Sequence, residues 1–92
     1  MIKSCKTKDT QTLYEGKTVK KWLSIHSQIE RRLQILDMAT SLNDLRNLPS
    51  NQFEALKGDR SGQYSIRINL QLRICFLWVN GEPHDVEIVD YH

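Results

Sequence analysis

The sequence predicts an α+β fold, with two or three helices packed on one face of a small antiparallel β-sheet. Apolar residues recur at a helical spacing of about 3.6 in the first half of the chain. After Pro49 the apolar period changes to 2, as in strands that bury one face. The pair Asn80-Gly81, between two alternating segments, is typical of a tight β-hairpin turn. The first half is therefore expected to supply the helices and the second half the sheet.

The N-terminal region is predicted to contain short elements. Residues 2–6 alternate and are compatible with a short strand. A short helix is expected next, capped by Asp9 or Thr10 and ended by Gly16 in a left-handed conformation. Residues 17–25 carry an apolar set that is compatible with another short helix.

The strongest helical pattern covers about residues 27–40. Ser27, with Glu30 three positions later, matches a capping box at the helix start. The apolar stripe continues beyond this helix until Pro49, which cannot extend a helix. The stripe consists of Ile25, Ile29, Leu33, Leu36, Ala39, Leu42, Leu45 and Leu48.

The second half is predicted to form four strands. The first is a short strand within residues 53–56, followed by a turn over residues 57–62. Residues 64–69 and 72–79 alternate, and a last strand runs through Val86 and Ile88. Even-numbered residues are expected to face the helices, and odd-numbered residues the opposite, exposed face. The helix-facing set is Tyr64, Ile66, Ile68, Leu72, Ile74, Phe76 and Trp78.

Length and composition predict one domain over residues 1–92. With 39% hydrophobic and 26% charged residues, the chain has an ordinary globular composition and no room for a second core. No apolar run approaches the roughly 20 residues of a membrane helix, and the start lacks the apolar segment of a signal peptide. Cys5 and Cys75 are far apart, which favours reduced thiols over a disulfide. A cytoplasmic protein without membrane partners is expected.

The net charge of +2 hides an asymmetry between the two halves. Residues 1–48 contain nine basic and five acidic residues, whereas the remainder contains four basic and six acidic residues. A basic first half suits a polyanionic partner, but it is also typical of a solvated helix face. Charge alone leaves both interpretations open.

Several side chains in the second half are suited to phosphate chemistry. Arg73, expected on the exposed face of a central strand, is either a surface ion-pair partner or a guanidinium that clamps phosphate. Lys57 and Arg60 flank a glycine turn whose amides can face an anion, although turns are often rich in such residues. Tyr91 and His92 end the chain with an aromatic ring and a proton carrier near neutral pH.

Together these groups would suit RNA cleavage without a metal ion. A base removes the 2′-hydroxyl proton, cations stabilise the phosphorane, and an acid protonates the departing 5′-oxygen. The sequence contains no metal-ligand spacing, Ser-His-Asp set or glycine-rich nucleotide loop, so neither a metal nor a cofactor is expected. His26 and His84 are interpreted as surface residues.

The same residues resemble the HigB group of bacterial toxins in the RelE/ParE superfamily. The resemblance rests on LKGDR at 56–60, YSIRIN at 64–69, RICF at 73–76 and VDYH at 89–92, and it extends over nearly the whole chain. It implies a RelE-like fold and a ribosome-dependent endoribonuclease that cleaves messenger RNA in the ribosomal A site. It also implies a HigA-like antitoxin with a helix-turn-helix, which neutralises the toxin and represses the operon.

The resemblance also implies roles for individual residues. Lys57 and Arg73 match phosphate-contacting positions, while Asp90, Tyr91 and His92 match the C-terminal catalytic group. Within that group His92 is the expected acid or base, and Tyr91 is the expected stacking or orienting group. All three residues are expected to emerge at the edge of the sheet face that carries Arg73. Further RNA or ribosome contacts are expected from Arg60, Arg67, Lys17, Lys20, Lys21, Arg31 and Arg32.

Two positions depart from the pattern of the family. Members often carry a histidine two residues ahead of the leucine of LKG, where this chain has Glu54. A carboxylate there could act as the base but would also repel phosphate, so the second proton-transfer group stays open. An aromatic residue commonly precedes the strand arginine, where Leu72 is interpreted as a core substitution.

Two other functions remain open at this point. One is a ParE-like toxin that binds a protein target such as gyrase without catalysis. The other is a degenerate module that only binds its antitoxin and regulates transcription. Lys57, Arg73 and His92 argue against the first, because a pure binder needs no convergent acid–base and phosphate-binding groups. The fold alone cannot choose between these functions.

Overall fold

A computed structural model describes residues 1–90 of the chain. Its four strands form one antiparallel sheet in the order of the sequence, and the helices lie on one side of it. This confirms the predicted α+β class. The elements are α1 (Lys8–Tyr14), α2 (His26–Met38), α3 (Leu42–Arg46), β1 (Glu54–Ala55), β2 (Tyr64–Arg67), β3 (Leu72–Val79) and β4 (Glu82–Asp90), with 3-10 turns at Lys20–Ile25, Pro49–Asn51 and Gly58–Arg60.

The first helix begins earlier than predicted. Thr7, rather than Asp9 or Thr10, is the N-cap, and its side chain accepts a hydrogen bond from the Thr10 amide. Thr10 is instead buried, and its hydroxyl accepts a hydrogen bond from the Ile88 amide on β4. Gly16 adopts a φ of +86°, which confirms the predicted left-handed ending. Thr7 therefore caps the helix, and Thr10 connects the helix to β4.

The predicted strand at residues 2–6 is reduced to a single parallel bridge between Cys5 and Val86. The Lys3 amide donates to the Pro83 carbonyl, and the Val86 amide donates to the Ser4 carbonyl. These bonds attach the N-terminal segment to β4 without continuing the regular ladder.

The predicted capping box at Ser27 is wrong. Helix α2 starts with Ile25 as its N-cap, which has no side-chain hydrogen bond, because the 3-10 turn before it leads directly into the helix. The capping box lies at α3, where Ser41 and Asp44 bond reciprocally. The apolar stripe is therefore divided between two helices. Within residues 1–90, no helix is both long and apolar enough to cross a membrane.

The sheet follows the predicted strand order with small changes of length. The short first strand contains only two residues, Glu54–Ala55. Asn80 and Gly81 have φ values of 52° and 79°, as the tight turn between β3 and β4 requires. His26 and His84 are both half-buried rather than fully exposed, so their interpretation as surface residues is only partly right.

The helix-facing side of the sheet forms the hydrophobic core. Phe76, Ile74 and Ile66 are fully buried against the apolar face of α2, which confirms the predicted orientation of the even-numbered residues. Val86 and Ile88 anchor β4 in the same core. Leu72 is also buried there, in agreement with its interpretation as a core residue.

The opposite side of the sheet is not the exposed surface that the alternation predicted. Ser65 and Cys75 are fully buried, and Arg73 is only 8% exposed. Hydrogen bonds compensate for the burial of Arg73, which is held by Gln52 in the segment before β1 and by the side chain of Ser65. Cys5 and Cys75 are both free thiols, as predicted.

Candidate functional site

A cleft of about 290 Å³ opens where β2 ends and β3 begins. Two cations line it, Arg67 and Arg73, which are directly opposite each other in the β2–β3 ladder. Like charges at opposed strand positions normally destabilise a sheet, so this pairing indicates a site that benefits from an anion. The lining residues are Gln52, Glu54, Arg67, Asn69, Leu70 and Arg73.

The Arg73 guanidinium is fixed by three neighbours. Its Nε donates to Ser65 Oγ at 2.8 Å, and its Nη2 donates to the carbonyl of Gln52. The same Nη2 lies 3.7 Å from Glu54 Oε1. A guanidinium held in this way presents its planar fork in one orientation, which is the geometry that clamps a phosphate.

The carbonyl that holds Arg73 is positioned from the helix layer. Gln52 has φ 45° and ψ 53°, a left-handed conformation that is uncommon outside glycine. The preceding residue, Asn51, is fully buried, and its Nδ2 donates to the Leu45 carbonyl at 3.0 Å. Arg32 on α2 donates from Nη1 to Asn51 Oδ1 at 2.6 Å. Helix α2 therefore helps to fix the position of Arg73 through Asn51 and Gln52. Arg73, together with the groups that hold it, forms what we call the arginine clamp.

The other rim of the cleft is a tight loop between β2 and β3. Arg67 donates from Nε to the Asn69 carbonyl at 3.0 Å. Asn69 Oδ1 in turn accepts hydrogen bonds from the amides of Gln71 and Leu72, both at 2.8 Å. Leu70 at the loop tip is 90% exposed, an apolar side chain beside two cations.

Lys57 and Arg60 do not line this cleft. Lys57 is exposed directly before the 3-10 turn, and no other residue within 1–90 forms an ion pair with it. Arg60 donates from Nη1 to Gln63 Oε1 at 3.0 Å and to Glu87 Oε1 at 3.1 Å. Arg60 thus ties the turn that carries Lys57 to strand β4.

Asp90 lies on the other face of the sheet from Arg73. It pairs with Leu72, a helix-facing residue, while Val89 is the partner of Arg73. The expectation that the chain end emerges at the Arg73 face is therefore wrong for Asp90, since alternation turns its side chain the other way. Gln71 Nε2 donates to Asp90 Oδ2 at 3.1 Å. Tyr91 and His92 lie outside the described residues.

Asp90 instead lines a second cleft of about 390 Å³, together with Lys21 and Trp22. Lys21 Nζ is 2.9 Å from Asp9 Oδ2 and 4.5 Å from the centroid of the Trp22 ring. Lys21 is thus already engaged by a carboxylate and an aromatic ring.

The remaining helical cations differ in their engagement. Lys17 is exposed and 3.7 Å from Glu15, while Lys20 and Arg31 are exposed. Arg32 is half-buried, and burial, followed by the charge of Arg31, lowers its pKa. Of the helical cations predicted to contact RNA, Lys20 and Arg31 are therefore exposed, whereas Lys21 and Arg32 are held by neighbouring side chains.

Sequence reasoning missed the groups that hold the arginine clamp. These groups are Ser65, Asn51 and Gln52, all polar residues of ordinary types. Ser65 had one usable signal, because it lies on the same sheet face as Arg73 and two positions before Arg67 in an alternating strand. Asn51 and Gln52 had none, since their role depends on contacts with α2 and β3.

Comparisons with known sequences match between 63% and 100% of the chain. A family model described as a RelE-like toxin of the type II toxin–antitoxin system HigB matches residues 3–92. Endoribonuclease HigB of Proteus vulgaris is 38% identical over 93 residues, which cover 100% of both chains. Toxin HigB-1 of Vibrio cholerae is 48% identical over 58 residues, 63% of this chain and 61% of that relative.

Solved structures agree in fold at lower identity. A YoeB–YefM complex from Staphylococcus aureus aligns with a TM-score of 0.61 and 22% identity, covering 100% of this chain and 95% of the matched chain. A YoeB/ParE toxin from Agrobacterium tumefaciens aligns with a TM-score of 0.57 and 19% identity, covering 98% and 99%. At these identities the likeness concerns the fold alone.

Proposed function

The chain belongs to the HigB-like family of RelE-like toxins from type II toxin–antitoxin systems and is an endoribonuclease, and we propose that it cleaves translated messenger RNA in the ribosomal A site. The observation that carries this proposal is the opposed pair Arg67 and Arg73 at the cleft. Two guanidinium groups facing one small cleft are suited to the phosphate backbone of a single RNA strand.

In the proposed reaction the 2′-hydroxyl loses its proton and attacks the neighbouring phosphate, and the bond to the 5′-oxygen breaks, which leaves a 2′,3′-cyclic phosphate and a 5′-oxygen that is protonated to a hydroxyl. Arg73, immobilised by Ser65 and the Gln52 carbonyl, would stabilise the charge that develops on the phosphoryl oxygens. Lys57, exposed in the turn after β1, would supply a second cation. No metal is needed for this route, because side chains provide both the charge and the proton transfers.

The proton transfers are proposed for the end of the chain. His92 would act as the acid or base, and Tyr91 would stack on a base or orient the nucleotide. Asp90 would complete this group from the far face of the sheet, within hydrogen-bonding distance of Gln71. These three assignments rest on the resemblance of the closing D-Y-H to the catalytic group of HigB toxins.

We further propose a neutralising partner, a HigA-like antitoxin with a helix-turn-helix. Support comes from the structural neighbours, since the YoeB of Staphylococcus aureus is solved in complex with YefM. The toxin would act in the cytoplasm as one RelE-like domain over residues 1–92. RNA or ribosome contacts are proposed for Arg60, Arg67, Lys17, Lys20, Lys21, Arg31 and Arg32.

Brief expression followed by mapping of messenger RNA 5′ ends tests the proposal. New cuts inside translated regions, absent in a His92→Gln variant, are the expected result. Reconstituted translation extends the test, because cleavage should require ribosomes on the message. Intact messages with broken DNA would overturn the proposal in favour of a ParE-like action on a protein target. Growth without any effect would indicate a module that only binds its antitoxin.

A further inference from the structure

We propose that Glu54 is a built-in competitor of RNA phosphate at the arginine clamp. Glu54 lines the same cleft as Arg73, and its carboxylate would leave Arg73 when a phosphate enters. This inference rests on the proposed function, because it assigns a regulator of affinity to the same cleft. Glu54 would therefore set how tightly the toxin holds RNA, without taking part in bond breaking.

The register of the sheet puts the carboxylate at this place. Glu54 is paired with Ser65, the residue that holds Nε of Arg73. Paired residues share a sheet face, so Glu54 and Arg73 lie on the same face as neighbours across the strands. The resulting Oε1–Nη2 distance is 3.7 Å. The contact follows from backbone pairing as well as from a side-chain rotamer.

The two partners differ in their freedom to move. The side chain of Glu54 is 58% exposed, whereas that of Arg73 is 10% exposed. Arg73 has two further hydrogen bonds that keep it in place when the carboxylate leaves. Glu54 has no other hydrogen bond or ion pair within the described part of the chain. The exchange therefore moves the acid and leaves the cation preorganised.

The charge balance of the cleft explains why a competitor is tolerated. Without an anion, Arg67 and Arg73 would repel each other across the β2–β3 ladder. Glu54 supplies one negative charge to this pair in the free protein. A phosphodiester brings a negative charge with oxygens that can accept two parallel N–H bonds, which a partly exposed carboxylate at 3.7 Å does not match.

Binding of an uncleavable RNA tests the proposal separately from catalysis. We would titrate the purified chain with a short single-stranded 2′-O-methyl RNA and follow fluorescence anisotropy. Glu54→Gln should lower Kd about two- to five-fold, the range expected for loss of an exposed ion pair that competes with the ligand. Glu54→Asp, which keeps the charge but shortens the side chain, should give a smaller decrease.

Glu82→Gln is the matched control. It removes the same charge from the same sheet, but Glu82 pairs with Lys3 at the far end of β4. Its Kd should therefore change less than that of Glu54→Gln. Equal shifts in the two variants, or none in Glu54→Gln, would overturn the proposal, because a general charge effect would then explain the result.

Cleavage of ribosome-bound messenger RNA separates the competitor from a general base. A competitor predicts that Glu54→Gln lowers KM and retains kcat. A base predicts a fall in kcat of about 10²–10⁴-fold with little change in Kd, which would overturn the proposal. If the variant binds RNA more tightly while neither protein cuts messages, the competitor role stands and the proposed ribonuclease function fails. A wild-type chain that does not bind the RNA overturns the competitor role.

Discussion

The two faces of the sheet are both buried, but by different means. The helix-facing side is covered by apolar side chains such as Ile29 and Leu36, which contact Ile74 and Phe76 in one continuous core. The other side buries Ser65 and Arg73, and Arg73 donates hydrogen bonds to Ser65 Oγ and to the Gln52 carbonyl in the segment before β1. The first face stabilises the fold mainly by removing apolar surface from water, whereas the second holds the Arg73 guanidinium in one orientation.

The largest effect is expected from damage to the apolar face. Phe76→Ala should lower the free energy of unfolding by about 3–5 kcal/mol, because it removes a fully buried ring and leaves a cavity. Chemical denaturation followed by circular dichroism measures this loss. Leu70→Ala, at an exposed loop tip, is the control and should change stability by less than about 0.5 kcal/mol. Similar losses in the two variants would contradict the assignment of the core.

The sequence predicted the apolar face much better than the polar one. Alternation in β3 placed Ile74 and Phe76 correctly, because a two-residue period directly reports which side of a strand is apolar. It could not show that Arg73 is buried, since this burial depends on the position of Gln52, whose carbonyl accepts a hydrogen bond from Arg73. Alternation with Val86 and Ile88 also places Asp90 on the helix-facing side of the sheet. The register with Leu72 was needed to show that this side is opposite to that of Arg73.

Arg73→Lys should separate the functions of the two faces. The variant keeps the charge but loses the planar fork, so we expect cleavage to fall about 10²–10³-fold, as for removal of one transition-state donor. Stability should fall less than in Phe76→Ala, even though Ser65 loses its partner. Initial rates of cleavage on programmed ribosomes, with thermal melting of the same samples, provide the measurement.

Arg46→Lys is the matched control for this change. Arg46 is an exposed residue of α3 that contacts Asn43 and the ring of Phe53, away from the cleft. The cleavage rate of Arg46→Lys should remain near that of the wild type. An Arg73→Lys variant that cuts normally would show that the clamp is not needed for catalysis.

Asn51→Ala should reveal how far the polar face depends on the helix layer. The change leaves Arg32 and the Leu45 carbonyl without their buried partner, at an expected cost of about 1–3 kcal/mol. Because Gln52 follows directly, cleavage should also fall. Ser50→Ala, which removes a weaker contact of the same arginine at 3.3 Å, should have little effect on stability or rate. Equal behaviour of the two variants would remove Asn51 from the support of the clamp.

The smallest effect on stability is expected from the loss of a side-chain hydrogen bond between two helices. Tyr14 on α1 donates to Asp37 Oδ1 on α2 at 2.8 Å. Burial, followed by this hydrogen bond and the charge of Asp37, raises the pKa of Tyr14 from 10.0 to about 12. The folded state thus favours the neutral phenol, so the stabilisation is complete below pH 10 and is lost as the pH rises towards 12. Tyr14→Phe should therefore be less stable than the wild type at pH 8, and the difference should narrow between pH 10 and 12 in urea titrations. A constant difference across that range would contradict the coupling of phenol ionisation to folding, and equal stability at pH 8 would show that the hydrogen bond to Asp37 does not stabilise the fold.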